Sequence, residues 1–395
     1  MATDVMKLFW QYRRRKDNVP LFFSLFLFFL PLEQILYYLI GLDTVLKPYR
    51  IFLIIYLVLL VMRNRFDTIN KHFFGFVFIF VYGLIMAGIN LAFGSGNLSY
   101  VVNGSIHYIF GLLIFLSLPS VLQRCRLSTL FRVFLLGVIV STLFGVYEFY
   151  GSDAFRMRGF LKNPNHLAFY INFASLGLVY QILEKNRFIP RTLLLIFFSL
   201  AVVVTGSRTG MILQTVLILY LIYKLHLRST VYIVLIVTLF TFLNSVNFDD
   251  LNVLKRYDIE NIKSASGRND ITDAAIRLGK DTFFLGVGIQ QYRYYHLEYL
   301  SANSYIILAD YELGTHNHFL DLLVNFGLLG LVVYIVFLYN SLLFSFRLSK
   351  GLRLFYRLSI LIILLASLSQ EMFMFPLFWL LTGLMANMKN IIRND

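Results

Sequence analysis

"VNFGLLGLVVYIVFLYNSLLFSF" (Val324–Phe346) decides the fold. It contains no Asp, Glu, Lys or Arg. Wound as an α-helix it would be about 35 Å long, enough to cross the hydrocarbon core of a bilayer. Runs of the same kind recur along the chain. They predict membrane spans near 20–40, 48–62, 73–92, 102–121, 131–150, 166–183, 192–206, 208–223, 229–243, 324–346, 355–371 and 373–388. The composition agrees with them. Of 395 residues 58% are hydrophobic and 41 are Phe, and the mean hydropathy is +0.72. A soluble domain of this size needs far more polar surface. The runs lack the apolar–polar alternation of a membrane β-barrel. The expected fold class is therefore all-α, a polytopic membrane protein of about twelve transmembrane helices.

Charge sets the expected orientation. With a cytoplasmic N-terminus, the short inner segments collect Lys7, Arg13, Arg14, Arg15 and Lys16, then Arg63, Arg65 and Lys71, then Arg124, Arg126 and Arg132. Lys185, Arg187 and Arg191 follow, then Lys224 and Arg228, then Arg347, Lys350, Arg353 and Arg357, and finally Lys389 and Arg393. That is a positive-inside pattern with both termini cytoplasmic. It accounts for most of the net charge of +14, which in a soluble protein would suggest nucleic acid; no nucleic-acid partner is expected. The "QYRRRK" run (Gln11–Lys16) precedes an apolar segment with no small-residue cleavage pattern, so that segment reads as a retained first span. The lone Cys125 forms no internal disulfide and reads as inert.

This divides the chain into a bundle of about nine helices over residues 1–243, an extracytoplasmic segment 244–323, and C-terminal helices with a tail over 324–395. Within the long segment, "GRNDITDAAIRLGKD" (Gly267–Asp281) places Ile271, Ala274, Ala275 and Leu278 on one helical face. Asn269 or Asp270 is the expected cap. The aromatic-rich "YRYYHLEYLSANSYIILADYE" (Tyr292–Glu312) suits an interface or a sugar groove.

The basic residues left outside are the informative ones, because topology alone disfavours them. Lys47 and Arg50 share one short loop. "GSDAFRMRGFLKNPNHLAFYINF" (Gly151–Phe173) sets Arg156, Arg158 and Lys162 before an Asn163-Pro164-Asn165 turn, with His166 opening a helix. "VVTGSRTGMILQ" (Val203–Gln214) puts Arg208 between two apolar runs, among glycines that allow close backbone approach. "SASGRNDI" (Ser264–Ile271) puts Arg268 at a helix start, where guanidinium and amides suit an anion. The plain alternatives are an ordinary basic loop, a snorkelling interfacial arginine and a solvated loop arginine.

His316, Asn317 and His318 follow Asp310 and Glu312. These four ionisable groups could ligate zinc, but the His-x-His spacing is common by chance and no metal is expected. Either histidine could instead be a core residue, or a neutral imidazole acting as general base. There is no convincing Asp-x-Asp, and no phosphate-binding loop of an ATP motor. Outside the cell a sugar donor must be carried by the membrane. A lipid pyrophosphate is the obvious anion, and arginines can clamp it without metal.

At these residues the chain resembles the bacterial O-antigen ligase and O-antigen polymerase superfamily, whose members are GT-C-like membrane glycosyltransferases. The carrying stretches are "GFLKNPNHLA" (Gly159–Ala168), "TGSRTG" (Thr205–Gly210), "GVGIQQY" (Gly286–Tyr292) and "HNHFLDLLVNFGLLG" (His316–Gly330). The resemblance implies an undecaprenyl-pyrophosphate-linked glycan donor, the outer face of the bacterial inner membrane, and inverting transfer with no cofactor. It implies His316, Arg208 and Arg268 as catalytic residues, with Arg277 a nearby alternative to Arg268. Lys47, Arg50, Arg156, Arg158, Lys162, Asn165, Arg277, Asn317 and His318 are the expected substrate-binding residues. The expected acceptor is a lipid-linked repeat unit, as in a polymerase; lipid A-core, as in a ligase, is the alternative. Membrane lipids and a chain-length regulator are further expected partners. A polysaccharide or glycolipid transporter is the non-enzyme alternative. It would carry ionisable residues at mid-membrane, where Glu148 is the main candidate, and internal repeats, of which none is evident.

Overall fold

The computed structural model describes residues 19–41, 47–63, 70–125, 127–151, 156–185, 188–225, 268–300 and 314–387. Among them every regular element is helical. α1 (Val19–Phe29) runs into a 3-10 turn (Leu30–Leu32) and then α2 (Ile35–Ile40). The expected span 20–40 is thus broken, and Pro31, which lacks an N–H, sits at the break. α3 (Pro48–Met62) starts on a proline, α4 (Lys71–Ala92) is capped by Asn70, and α5 (Leu98–Leu122) is capped by Asn97. α6 (Leu127–Gly151), α7 (Pro164–Lys185), α8 (Phe188–Val204) and α9 (Arg208–Leu225) follow. After the long segment come α10 (Arg268–Asp281), α11 (Tyr292–Tyr299), α12 (His318–Ser345), α13 (Lys350–Ser367) and α14 (Pro376–Ala386).

Among the described residues five helices are long and apolar enough to cross a membrane: α4, α5, α6, α12 and residues Pro164–Leu183 of α7. Four shorter apolar helices accompany them, within Leu21–Leu32, Pro48–Met62, Pro190–Val204 and Pro376–Ala386. The expected span 229–243 lies outside the described residues. The chain is a helical membrane protein whose helices pack through small residues. Gly137 leaves room only for the backbone of Phe28, and Gly111 only for the Trp379 ring. α7 sits centrally, against α6, α8, α9 and α13, while α14 packs on α5. Where α5 and α14 meet, Tyr108, Phe373 and Trp379 form an aromatic core, with the Tyr108 and Trp379 centroids 4.8 Å apart, edge to face.

One segment of the expected outer loop enters the bundle. Residues 284–291 run as irregular backbone between α4, α5 and α12. Such backbone is tolerated at depth only when its polar groups find partners, and here most of its amides do. Val287 and Gly288 N–H donate to the carbonyls of Val324 and Asn325, both at 2.8 Å, and Leu328 N–H donates to Phe284 O at 2.8 Å. Asn90 Nδ2 and Tyr82 Oη donate to the carbonyls of Val287 and Leu285. At Gly327, where φ is 68°, α12 kinks and makes room for the segment.

α10 buries Ile271, Ala274, Ala275 and Leu278, the face the sequence predicts. Asn269 and Asp270 lie inside its first turn rather than ahead of it, so neither is the cap. Asp270 there complements the helix dipole.

Candidate functional site

The "TGSRTG" stretch is a tight reversal between α8 and α9. Thr205 N–H closes α8 on Ala201 O, Gly206 turns at φ 62°, and the Ser207 hydroxyl caps the Gly210 amide at 3.2 Å. Gly210 has to be small because α7 is close: a Cβ there would meet Ala168, and Asn172 Nδ2 donates to the Gly210 carbonyl at 3.1 Å. Arg208 is the first residue of α9. Arg156 reaches this turn from the loop after α6. Its Nε donates to Thr205 O at 2.7 Å and its Nη2 to Asn165 Oδ1 at 2.9 Å. Asn165 belongs to the first turn of α7, which Asn163 caps through the Asn165 amide at 2.8 Å. Three sequence-predicted residues therefore sit on one small scaffold: Arg156 and Asn165 in contact, with Arg208 on the turn they hold.

A second group gathers around His107 on α5. Arg50 is 2% exposed; its Nη2 lies 3.1 Å from His107 Nδ1, its Nε donates to Tyr49 Oη, and its guanidinium lies 4.8 Å from the centre of the Phe110 ring. Lys47, Lys162 and Arg293 also lie within electrostatic reach of this imidazole. Lys47 is buried at the start of α3. The predicted Lys47, Arg50 and Lys162 are thus brought together, although 112 residues separate Arg50 from Lys162 along the chain.

Arg293 on α11 links this group to a third. Its Nη2 forms an ion pair with Glu371 Oε2 at 2.9 Å. The nearby carboxylate holds the guanidinium above the ordinary arginine range, against the opposing effect of burial. Glu371 stands between α13 and α14. Beside it, Gln370 Nε2 donates to Asn165 O at 3.4 Å, joining this group to the Arg156 scaffold. Gly314 packs on the Glu371 carboxylate so closely that a Cβ would overlap it. Two residues on, His316 is half-buried with φ 50°, a left-handed conformation uncommon outside glycine. Thr315 Oγ1 donates to Asn317 O, and Asn317 Oδ1 caps α12 through the amides of Phe319 and Leu320. Asn317 therefore fixes the helix mouth at which His316 stands.

Other expected residues are placed differently. His318 has no exposed surface; its ring packs edge-on against Phe373, Tyr334 and Phe378, and Nδ1 accepts from Met372 N–H at 3.4 Å. It is a core histidine, which corrects the expectation of direct substrate contact. Arg158 bonds Glu148 Oε1 through both Nε and Nη2, at 3.1 and 2.9 Å, and that bonding holds its pKa up. Tyr38 Oη donates to the same oxygen, so the membrane carboxylate noted at Glu148 is a partner of the loop. Arg277 is exposed on α10. Arg268 opens α10, and only its backbone is described. Asp310 and Glu312 lie outside the described residues. Among those described, no three His, Cys, Asp or Glu side chains gather where a metal could bind.

The sequence reading missed His107, Arg293 and Glu371. Two of these carried a signal: His107 interrupts the span 102–121, and Glu371 is an acid among apolar residues. An ionisable group in such a place is a functional candidate by default. Arg293 was hidden in a tyrosine-rich run.

Residues 193–335 match the family model described as O-antigen ligase. No curated protein matches the chain. The matched segment holds Arg208, Arg268, Arg293 and His316, while Lys47, Arg50, His107, Arg156, Lys162 and Glu371 reach the same end of the bundle from outside it. Over residues 193–335, then, the chain is similar to the O-antigen ligase family, and that match supports its resemblance to the O-antigen ligase and O-antigen polymerase superfamily.

Proposed function

We propose that the protein is a glycosyltransferase of the bacterial inner membrane. It takes a glycan from undecaprenyl pyrophosphate and passes it to the hydroxyl of a lipid-linked repeat unit at the outer face, as a polysaccharide polymerase. The observation that supports this best is the linkage of two cationic groups to the loop that carries His316, through Arg293, Glu371 and Gly314. Arg156 braces the Arg208 turn, Arg50 contacts His107 with Lys47, Lys162 and Arg293 within electrostatic reach, and hydrogen bonds through Asn165 and Gln370 connect the groups. A diphosphate leaving group needs such compensation, and arginines supply it with fixed geometry.

In this reading Arg208 and Arg268 hold the diphosphate and the His107 group binds further anionic substrate. His316 takes the proton of the acceptor hydroxyl as its oxygen attacks the anomeric carbon. The bond from that carbon to the diphosphate oxygen breaks, the lipid diphosphate leaves, and configuration inverts. Two separate groups of cations suit a reaction in which donor and acceptor both carry diphosphate. The description of the matching family favours a second reading, transfer to lipid A-core as a ligase.

A strain lacking the gene, examined on a glycolipid gel, tests this. Lipid A-core bearing a single repeat is the expected result. Unmodified core with long lipid-linked polymer would establish the ligase instead. An unchanged ladder would overturn both.

A further inference from the structure

Glu371 lies far from His316 in sequence and outside the matched segment, yet the loop leading to His316 rests on it. Gly314 meets the carboxylate with no space for a side chain. The other face of the carboxylate is tied to Arg293, and the Glu371 side chain is 9% exposed. Asp321, one turn into α12, lies within electrostatic reach of both partners and bonds Asn325 Nδ2 at 2.7 Å. Asn325 Oδ1 in turn accepts from the Tyr292 amide, at the start of the helix that carries Arg293. Arg293 is therefore aimed by α11, α11 is fastened to α12, and Glu371 completes the ring from the α13–α14 connection. A buried pair of this kind gains little as a stabiliser but fixes geometry.

We propose that Glu371 and Arg293 form a positioning pair that seats residues 314–317 and so sets where the His316 imidazole stands. This rests on the proposed transfer reaction for its consequence, but the seating itself does not. A left-handed histidine persists only where its surroundings over-determine it. Thr315 and Asn317 hold it from within the loop, and the carboxylate holds it from below. Removing the carboxylate should loosen the loop and release Arg293, while leaving Arg156 and the Arg50–His107 contact in place. Transfer should then slow without a matching loss of donor binding.

The test uses the full-length protein in detergent. Position 316 is made a reporter with H316C in a C125A background, and labelling by a soluble maleimide is timed. Glu371→Gln should raise the labelling rate several-fold, and so should Arg293→Met. In chains that keep His316, Glu371→Gln should lower kcat by about 10- to 100-fold, as misplacement by an ångström does, with the donor KM within about twofold. Glu371→Asp should recover part of that loss. A lone buried charge could prevent folding, so the double variant E371Q/R293M is measured too. It should lose no more than either single variant. Unchanged labelling at position 316 in the single and double variants overturns the proposal, whatever His316 does. Where His316→Ala abolishes transfer, faster labelling with unchanged kcat also overturns it. Faster labelling alongside full transfer by His316→Ala would leave the seating standing and remove the proposed reaction instead.

Discussion

His316 and His318 are two residues apart and have opposite surroundings. The first stands half-exposed in left-handed backbone at the helix mouth; the second is enclosed by three aromatic rings. Their variants should separate accordingly. His316→Ala should abolish glycan transfer while expression, insertion and melting temperature stay near wild type. Near-normal product at matched membrane expression would remove His316 from the catalytic role. His318→Ala empties a filled core site, so it should cost about 2–4 kcal/mol, read as a lower melting temperature. The neighbouring arginines make a similar contrast. Arg158 is 45% exposed and Glu148 12%, and Tyr38 still donates to the same carboxylate oxygen, so Arg158→Ala should cost about 1 kcal/mol and leave transfer largely intact. Arg156 braces the Arg208 turn from two sides, so Arg156→Ala should reduce transfer by tenfold or more, roughly the weight of two charge-assisted hydrogen bonds. Equal effects of the two variants would mean that loop charge matters and the bracing does not.

At the scale of elements, the helices were legible because lipid makes the sequence simple. Long apolar runs leave few alternatives, although the break at Pro31 and the caps at Asn70 and Asn97 were not read from them. The amphipathic face of α10 was legible for the same local reason. The inserted segment was not. "FLGVGIQQ" (Phe284–Gln291) reads as loop, and its destination depends on Gly83, Ala87, Gly104 and Gly327, which lie far away in the chain. Gly288 shows the constraint best. It holds φ 96°, and a Cβ there would strike the backbone of Ala87. Gly288→Ala therefore combines backbone strain with overpacking and should cost roughly 2–4 kcal/mol. The melting temperature should fall by several degrees, and Gln291, which bonds Asn97 N–H and O at 2.8 and 2.9 Å, should lose its grip on the start of α5. A variant as stable as wild type would show that the segment does not sit between those helices. Cβ-free glycines are visible in a sequence; which backbone they admit is not.

For the whole molecule, the excess of basic residues on the expected outer side was the legible part of the site, because topology gives no reason for it. Its wiring was not legible. Arg50 to His107, Arg156 to Thr205 and Arg293 to Glu371 are all long-range contacts whose partners no local pattern announces. That wiring bears on how the leaving group is neutralised. A divalent cation needs oxygen or imidazole donors on surroundings of low positive charge. Here Arg50 lies 3.1 Å from His107, with Lys47, Lys162 and Arg293 within electrostatic reach, and at an effective dielectric constant near 20 a fixed charge as close as 4 Å repels each positive charge on an ion by about 4 kcal/mol. The same field attracts diphosphate. Transfer should therefore persist in excess EDTA and weaken as salt screens the rim. Loss of activity with EDTA and recovery with a divalent ion would reverse the argument. It would place the metal with Asp310, Glu312 and His316, the donors nearest the helix mouth in the sequence.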